Sequence, residues 1–361
     1  MAKRDRGSGL IGNILDRLVR NSQDGQTIGL PVGPDSSLLL AEVLLAAADR
    51  VVAQRLRGTR GVRYIDDYEL CFPTLSAAEA GVIELQNTLS EYELALNPAK
   101  TRILELPQPL DPTWTAEIRK YPIRSRRVAQ ATDLVDFFSK AFELAQERSR
   151  DSVLNFAIGR LKSVTVDRAN WPLLQTLLLQ CATSELGTLR FVMDGIRAYR
   201  EAGYPVSRQT LGDVLNEHTQ RSALLGQASE VAWALWCAIT FQIPVDRRPA
   251  RAISRMSDSV VALVALDARA RGLIPTGLDT ALWESFMTQG GLAGEQWLLS
   301  YEANIKTWLP SRGGGDHVAQ HPAFRYLKQL GVSFYDPQRV AVGSPASAGP
   351  RPGAAPYIGL P

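Results

Sequence analysis

Apolar side chains spaced three and four positions apart near the start of the chain predict a helix over about residues 8–21. A strongly apolar run from Leu38 to Leu56 predicts a second, longer helix. Between the two, Gly29–Pro34 has two glycines and two prolines in six residues, which excludes regular structure there. We expect Thr27–Ile28 to form a short strand before this loop, and Asp35–Ser37 to cap the second helix after it.

The pattern then changes and predicts a β-hairpin. Val62–Ile65 and Tyr68–Phe72 have the composition of strands, and the two aspartates between them favour a turn. A capping box at Ser76–Glu79 starts an amphipathic helix, and Thr101–Leu106 is predicted to be a third strand. Residues 27–106 are therefore expected to form a small α+β unit.

Three prolines between residues 107 and 112 mark the end of this unit. Beyond them, apolar runs separated by short turns predict an irregular helical array without a strict repeat. The runs cover residues 131–146, 152–163, 171–184, 187–201, 208–217, 228–242, 258–271, 279–287 and 294–309. The predicted organisation is an α+β unit over residues 1–106, a basic linker over 107–128, an α-helical domain over 129–340, and a disordered tail rich in proline, glycine and alanine over 341–361.

Composition excludes a protein that coats nucleic acid by bulk charge, because 40 basic and 37 acidic residues leave a net charge of only +3. Contact with nucleic acid must then come from local patches. One candidate patch follows the α+β unit and consists of Arg119, Lys120, Arg124, Arg126 and Arg127. A second consists of Arg247, Arg248, Arg251 and Arg255. Each patch has a plainer interpretation as a solvated basic surface.

The cysteines and histidines do not predict a disulfide framework or a metal site. Cys71, Cys181 and Cys237 are too far apart for a disulfide framework or a zinc spacing, which is typical of a reducing cytoplasm. The longest apolar stretch is too short to cross a bilayer, so we predict a cytoplasmic protein without membrane contact. His218 stands alone and is predicted to lie on the surface. A metal site at His317 and His321 is disfavoured by the surrounding glycine and proline.

The aspartate pair in the hairpin is the most informative feature for chemistry. Asp66 and Asp67 at a strand tip present oxygen ligands to solvent, and oxygen ligands suit Mg²⁺, or Mn²⁺ in its place. Such a site keeps open positions for phosphate oxygens, as two-metal phosphoryl transfer requires. Taken alone, the pair is more typical of an ordinary hairpin turn than of a catalytic site.

Three segments in order resemble the palm of reverse transcriptases: the loop Gly29–Ser37 running into a helix, the Tyr-Ile-Asp-Asp hairpin Tyr64–Asp67, and the Leu-Asn-x-x-Lys-Thr element Leu96–Thr101. The resemblance implies an α+β partial palm followed by the helical domain, acting as an RNA-directed DNA polymerase. Val32 replaces the glutamine of the family's Pro-Gln-Gly loop, which puts any side-chain contact from that position in doubt.

The resemblance also implies a role for each matched residue. Asp66 becomes a catalytic magnesium ligand, with Asp67 assisting beside it. Tyr64 would pack beneath the primer end, and Lys100 would face the incoming deoxynucleoside triphosphate. The partners implied are an RNA template and a DNA primer or product. Pro31 and Gly33 would support the nascent base pair.

The wording of these motifs and the long helical half are similar to bacterial reverse transcriptases of the abortive-infection and unclassified groups, which implies a role in defence against phage. Nothing upstream of Gly29 matches the family's first catalytic aspartate or its fingers. We therefore expect a truncated reading frame, a separate polypeptide that supplies these parts, or a homo-oligomer, and we expect no polymerisation by the chain alone. The rival hypothesis is a non-catalytic helical scaffold with a degenerate palm that binds nucleic acid or protein.

Overall fold

Helices make up most of the part of the chain that the structure, a computed structural model, describes: residues 9–23, 25–107, 112–149, 151–161 and 164–338. The chain divides into two compact units, Met1–Leu110 and Asp111–Pro361. The predicted disordered tail over 341–361 lies outside the described residues.

The first unit combines three helices with one β-hairpin. Its helices are α1 (Ile11–Asn21), α2 (Asp35–Arg55) and α3 (Leu75–Glu91), and its strands are β1 (Arg60–Tyr64) and β2 (Asp67–Cys71). The two strands pair in antiparallel register, with Tyr64 opposite Asp67 at the tip. The predicted helices and hairpin are thus present in the first unit.

The core of the first unit is small. Ala48 and Val52 on α2 pack against Leu85 and Leu89 on α3, and partly buried side chains of β2 and of the segment after α3 surround them. Gly81 on α3 is required by packing, because a Cβ atom there would lie 2.2 Å from the ring of Phe72. The hairpin is therefore held against both helices at close range.

Two predicted strands are absent from the structure. Neither Thr27–Ile28 nor Thr101–Leu106 is a strand, and the sheet in the described residues has two strands. A strand requires a hydrogen-bonded neighbour, and local composition does not show whether one is in reach. Asn97 instead closes a turn ahead of the second segment, where its side chain accepts a hydrogen bond from the backbone N–H of Ala99.

The predicted helix caps are wrong in detail. Thr74, not Ser76, caps α3, and its hydroxyl accepts a hydrogen bond from the backbone N–H of Ala77. The helix α2 begins at Asp35 itself, with Pro34 as the preceding residue and no side-chain cap. At α3, Thr74 lies two residues before Ser76 and takes the capping position, whereas at α2 the preceding residue is a proline, whose side chain cannot accept a hydrogen bond.

The second unit is helical throughout its described residues. Its helices are α4 (Thr113–Arg119), α5 (Arg127–Glu147), α6 (Val153–Arg160), α7 (Trp171–Ser184), α8 (Leu189–Glu201), α9 (Arg208–Leu224), α10 (Ala228–Phe241), α11 (Arg247–Ile253), α12 (Ser259–Ala270), α13 (Ala281–Glu284), α14 (Gln289–Ala293), α15 (Trp297–Ile305), α16 (His317–Gln320) and α17 (Pro322–Gln329). Each predicted helical run coincides with one of these helices. In the described part of this unit, five short helices lie outside the predicted runs, namely α4, α11, α14, α16 and α17.

One large core runs through the second unit. The helix α10 packs against both α9 and α12, and Leu235 on α10 is fully buried. The stretch expected to be a basic linker contains α4, whose Trp114 and Ile118 belong to this core. His218 on α9 is buried as well, so the prediction of a surface histidine is wrong. An isolated polar residue in a sequence does not show which face of its helix it occupies.

Among the described residues, no helix is both long enough and apolar enough to span a bilayer.

Candidate functional site

The aspartate pair lies at the tip of the β1–β2 hairpin. Because Tyr64 pairs with Asp67, Ile65 and Asp66 are the two residues of the turn. Ile65 has a φ of 56°, in the left-handed region that two-residue hairpin turns use and that β-branched residues avoid. Such a conformation costs on the order of 1–3 kcal/mol, so the surrounding contacts must hold the turn in place.

The two faces of the hairpin differ sharply. Successive side chains of a strand point to opposite faces, so Arg63 and Tyr68 share one face while Tyr64 and Asp67 share the other. Arg63 and Tyr68 are half-buried, whereas Tyr64 and Asp67 are exposed. The open face therefore presents an aromatic ring and a carboxylate together, and Asp66 stands in the turn beside them.

A charged cluster on the covered face ties the hairpin to α2. Arg63 contacts the carboxylates of Glu42 and Asp49, and the hydroxyl of Tyr68 donates to Asp49 Oδ1 at 2.7 Å. The guanidinium of Arg63 lowers the pKa of the Glu42 carboxyl, and the paired carboxylates raise the pKa of Arg63. Burial and the bond to Asp49 raise the pKa of Tyr68.

Sequence reasoning missed this cluster, although it left a signal. Glu42 and Asp49 are seven residues apart, which is about two helical turns and places both on one side of α2. Two carboxylates aligned in this way indicate a cationic partner. The sequence does not show that the partner comes from the following strand.

The Gly29–Pro34 loop precedes α2 as predicted. Gly29 and Gly33 have φ values of 79° and 117°, which only glycine adopts readily. The side-chain amide of Gln23, just after α1, donates to the carbonyl of Gly29 at 3.1 Å and anchors the loop. Val32 is fully exposed, and Pro31 lies beside it. The loop thus offers an open backbone, with no polar side chain at position 32.

Lys100 lies in the turn that follows α3. Its backbone N–H donates to the carbonyl of Asn97 at 3.0 Å, and the hydroxyl of Thr101 donates to the same carbonyl at 2.9 Å. The side chain of Lys100 is exposed, and within the described part of the chain it forms no ion pair. A fixed turn therefore presents a free ammonium group.

The oxygen atoms at the hairpin tip determine which metal ion the site can bind. Asp66 and Asp67 are exposed carboxylates on adjacent residues, a donor set that suits Mg²⁺ or Mn²⁺. Across the described ranges, no group of three or more His, Cys, Asp or Glu side chains could hold a metal ion. The pair fits as part of a magnesium site, with the remaining positions left to water, substrate phosphate or another carboxylate.

The first basic patch, in the second unit, divides into engaged and free residues. Arg124 pairs with Asp133 at 2.6 Å and lowers the pKa of that carboxyl to about 2. Arg119 lies over the ring of Phe156. Lys120, Arg126 and Arg127 are exposed, as are the four arginines of the second patch around α11. Arg124 therefore has a structural partner that sequence reasoning did not foresee.

The chain matches no protein-family model, and no curated protein matches it significantly.

Proposed function

We propose that the chain is the catalytic part of an RNA-directed DNA polymerase whose active site lies at the β1–β2 hairpin. The reaction is attack of a primer 3′-hydroxyl on the α-phosphate of a deoxynucleoside triphosphate, with release of pyrophosphate. The observation that supports this proposal is the geometry of the hairpin tip, where Asp66 and Asp67 are exposed beside Tyr64 on an uncovered sheet face. The motif resemblance gives the reaction class, and defence against phage is the role that it implies.

Each residue of the first unit that matches the family's motifs has a defined role in this proposal. Asp66 and Asp67 would hold Mg²⁺, and the ion would supply charge stabilisation for the triphosphate and activation of the attacking hydroxyl. Tyr64 offers its ring to the primer end, and the free ammonium of Lys100 neutralises the triphosphate. The loop at Pro31 and Gly33 offers a backbone that a base pair can approach closely.

Nucleic-acid affinity is assigned to the free members of the basic patch. Lys120, Arg126 and Arg127 are exposed and contact phosphates of the template and primer. Arg119 and Arg124 contribute less, because a ring and a carboxylate already engage them.

Two-metal transfer needs a further carboxylate, and within the described residues no group of three or more His, Cys, Asp or Glu side chains could hold a metal ion. We propose that another polypeptide, or a second copy of the chain, supplies it. The same observation favours a second candidate function, a scaffold that binds RNA or protein without catalysis. The two candidates differ in one respect: only the polymerase requires the carboxylate of Asp66.

The test compares the tagged chain purified alone with the chain purified from its natural host together with its bound partners. Each preparation receives a primed RNA template, labelled deoxynucleotides and Mg²⁺. We expect extension by the complex, no extension by the chain alone, and loss of at least a hundredfold in the complex that carries Asp66→Asn.

Glu69→Gln is the matched control. Glu69 is another exposed carboxylate on the open face of β2, and its loss should leave extension unchanged. Extension that survives Asp66→Asn, or a complex without any extension, contradicts the polymerase and favours the scaffold. Extension by the chain alone that disappears in Asp66→Asn supports the polymerase and contradicts the need for a partner.

A further inference from the structure

Arg63 is the residue through which the hairpin turn is attached to α2. It immediately precedes Tyr64, lies on the covered face, and its side chain is only 10% exposed. Its guanidinium donates to both carboxylate oxygens of Glu42, at 2.9 and 2.6 Å, in the bidentate geometry that arginine favours. Its Nε atom donates to both oxygens of Asp49, at 3.1 and 2.9 Å.

The same guanidinium reaches into the turn. Nη1 of Arg63 donates to the backbone carbonyl of Ile65 at 2.6 Å. Ile65 is the residue with the left-handed backbone, and its carbonyl belongs to the peptide group that leads into Asp66. One side chain therefore connects two carboxylates of a helix to the backbone that orients the aspartate pair.

We propose that Arg63 is a positioning residue for Asp66 and Asp67, holding the turn so that both carboxylates project from the open face. This inference rests on the proposed function, because it gives the orientation of the pair a purpose. Asp49 supports Arg63 from α2 and is itself held by the hydroxyl of Tyr68. Arg63 touches no reacting group, since it lies on the face opposite to Tyr64 and Asp67.

Lysine cannot take over this task, although it keeps the charge. An ammonium group is a point charge on a flexible stem and lacks the planar fork that serves two carboxylates and a carbonyl together. Arg63→Lys therefore separates geometry from charge. Arg55→Lys is the matched control, because Arg55 also joins two carboxylates in the first unit, Glu84 and Glu91, but on α3 rather than at the hairpin.

The experiment measures the full chain in two ways. Hydrogen exchange of metal-free protein reports the hairpin amides, and electron paramagnetic resonance titration with Mn²⁺ reports metal affinity. We expect Arg63→Lys to speed exchange in residues 64–68 alone and to weaken Mn²⁺ binding about tenfold, as loss of an outer support to a metal ligand does. Arg55→Lys should change neither measurement.

Unchanged hairpin exchange and Mn²⁺ affinity in Arg63→Lys would overturn the inference, as would equal effects of Arg55→Lys. If Arg63→Lys does not fold by circular dichroism, Glu42→Gln removes one arm of the same attachment and is read by the same criteria. Mn²⁺ affinity that is identical in the wild type and Asp66→Asn contradicts the proposed function instead. In that event the exchange measurement still decides whether Arg63 holds the turn.

Discussion

His218 shows how much one buried side chain can contribute to pH dependence. Its side chain is 1% exposed, and Nε2 lies 3.6 Å from Glu230 Oε2. Burial lowers the pKa of His218 from 6.5 to about 4; the backbone of Ala182 opposes this shift, and the charge of Arg221 adds to it. At neutral pH the folded helical unit therefore contains His218 with an uncharged ring.

We predict that the helical unit loses stability as the pH falls from 7 to 5. Between pH 6.5 and about 4, His218 is protonated in the unfolded chain but neutral in the folded unit, so lowering the pH favours unfolding. We expect the free energy of unfolding to fall by about 2 kcal/mol between pH 7 and pH 5, because each pH unit between the two pKa values changes it by up to about 1.36 kcal/mol. Urea unfolding followed by circular dichroism at the two pH values measures it.

His218→Gln is the control for this prediction, because glutamine does not titrate. Burial raises the pKa of Glu230, so protonation of that carboxyl acts in the opposite direction in both proteins. The difference between wild type and variant therefore reports the titration of His218 together with its contact to Glu230. A wild type that loses no more stability than His218→Gln on acidification would contradict the assignment.

Arg124 differs in function from its neighbours in the basic patch. We predict that Arg124→Ala lowers the melting temperature, because it leaves the carboxylate of Asp133 without its cation. Arg126→Ala should leave the melting temperature unchanged and weaken binding to a primed RNA template. The slope of log binding constant against log salt concentration should fall by about one, as the loss of one phosphate contact predicts. Thermal unfolding and binding titrations at several salt concentrations separate the two effects. Equal losses of stability in both variants would contradict this division.

Helices were predictable because their signal is local. The apolar period of α5, α7 and α10 lies within each segment, so the helical unit follows from the sequence alone. The hairpin was predictable for the same reason, and the period of two residues already places Tyr64 and Asp67 on one face. The side chains of the candidate site could thus be named before the structure.

Features that depend on distant partners could not be predicted. Thr101–Leu106 has strand composition but no strand beside it, and Arg63 acquires its role from residues 14 and 21 positions earlier on α2. His218 could not be assigned to the core, because burial depends on which helices pack against α9. In each case the missing information is long-range geometry rather than local propensity.

The start of α3 provides a prediction about a single helix end. We expect Thr74→Ala to destabilise the first unit by about 1 kcal/mol, because the hydroxyl satisfies the backbone N–H of Ala77. Ser76→Ala should be close to neutral, since Ser76 lies inside the first turn of α3 and is not its cap. Urea midpoints read from the exchange of α3 peptides measure both. A larger loss of stability in Ser76→Ala than in Thr74→Ala would support Ser76 as the cap, as the capping box predicted.

The two units differ greatly in the size of their cores. Among the described residues, four buried apolar side chains form the core of the first unit, whereas the core of the second unit runs from α4 to the region of α15. The first unit also leaves large apolar side chains exposed, including Ile28 at 88% and Val43 at 64%. Apolar burial is the main favourable term in folding, so the stability of the chain is concentrated in the helical unit.

We predict that the full chain unfolds in two steps, with the first unit opening at the lower temperature or urea concentration. Each unit has its own core, so Leu85→Ala should accelerate hydrogen exchange in α2 and α3 and leave α10 unchanged. Leu235→Ala should do the reverse, and each truncation should cost about 2–5 kcal/mol in its own unit. Exchange mass spectrometry of the intact chain resolves the two responses. Faster exchange in α10 of Leu85→Ala would show that the chain unfolds as one cooperative molecule. Separate responses would place the β1–β2 hairpin on the less stable unit, which a bound partner or metal ion would stabilise.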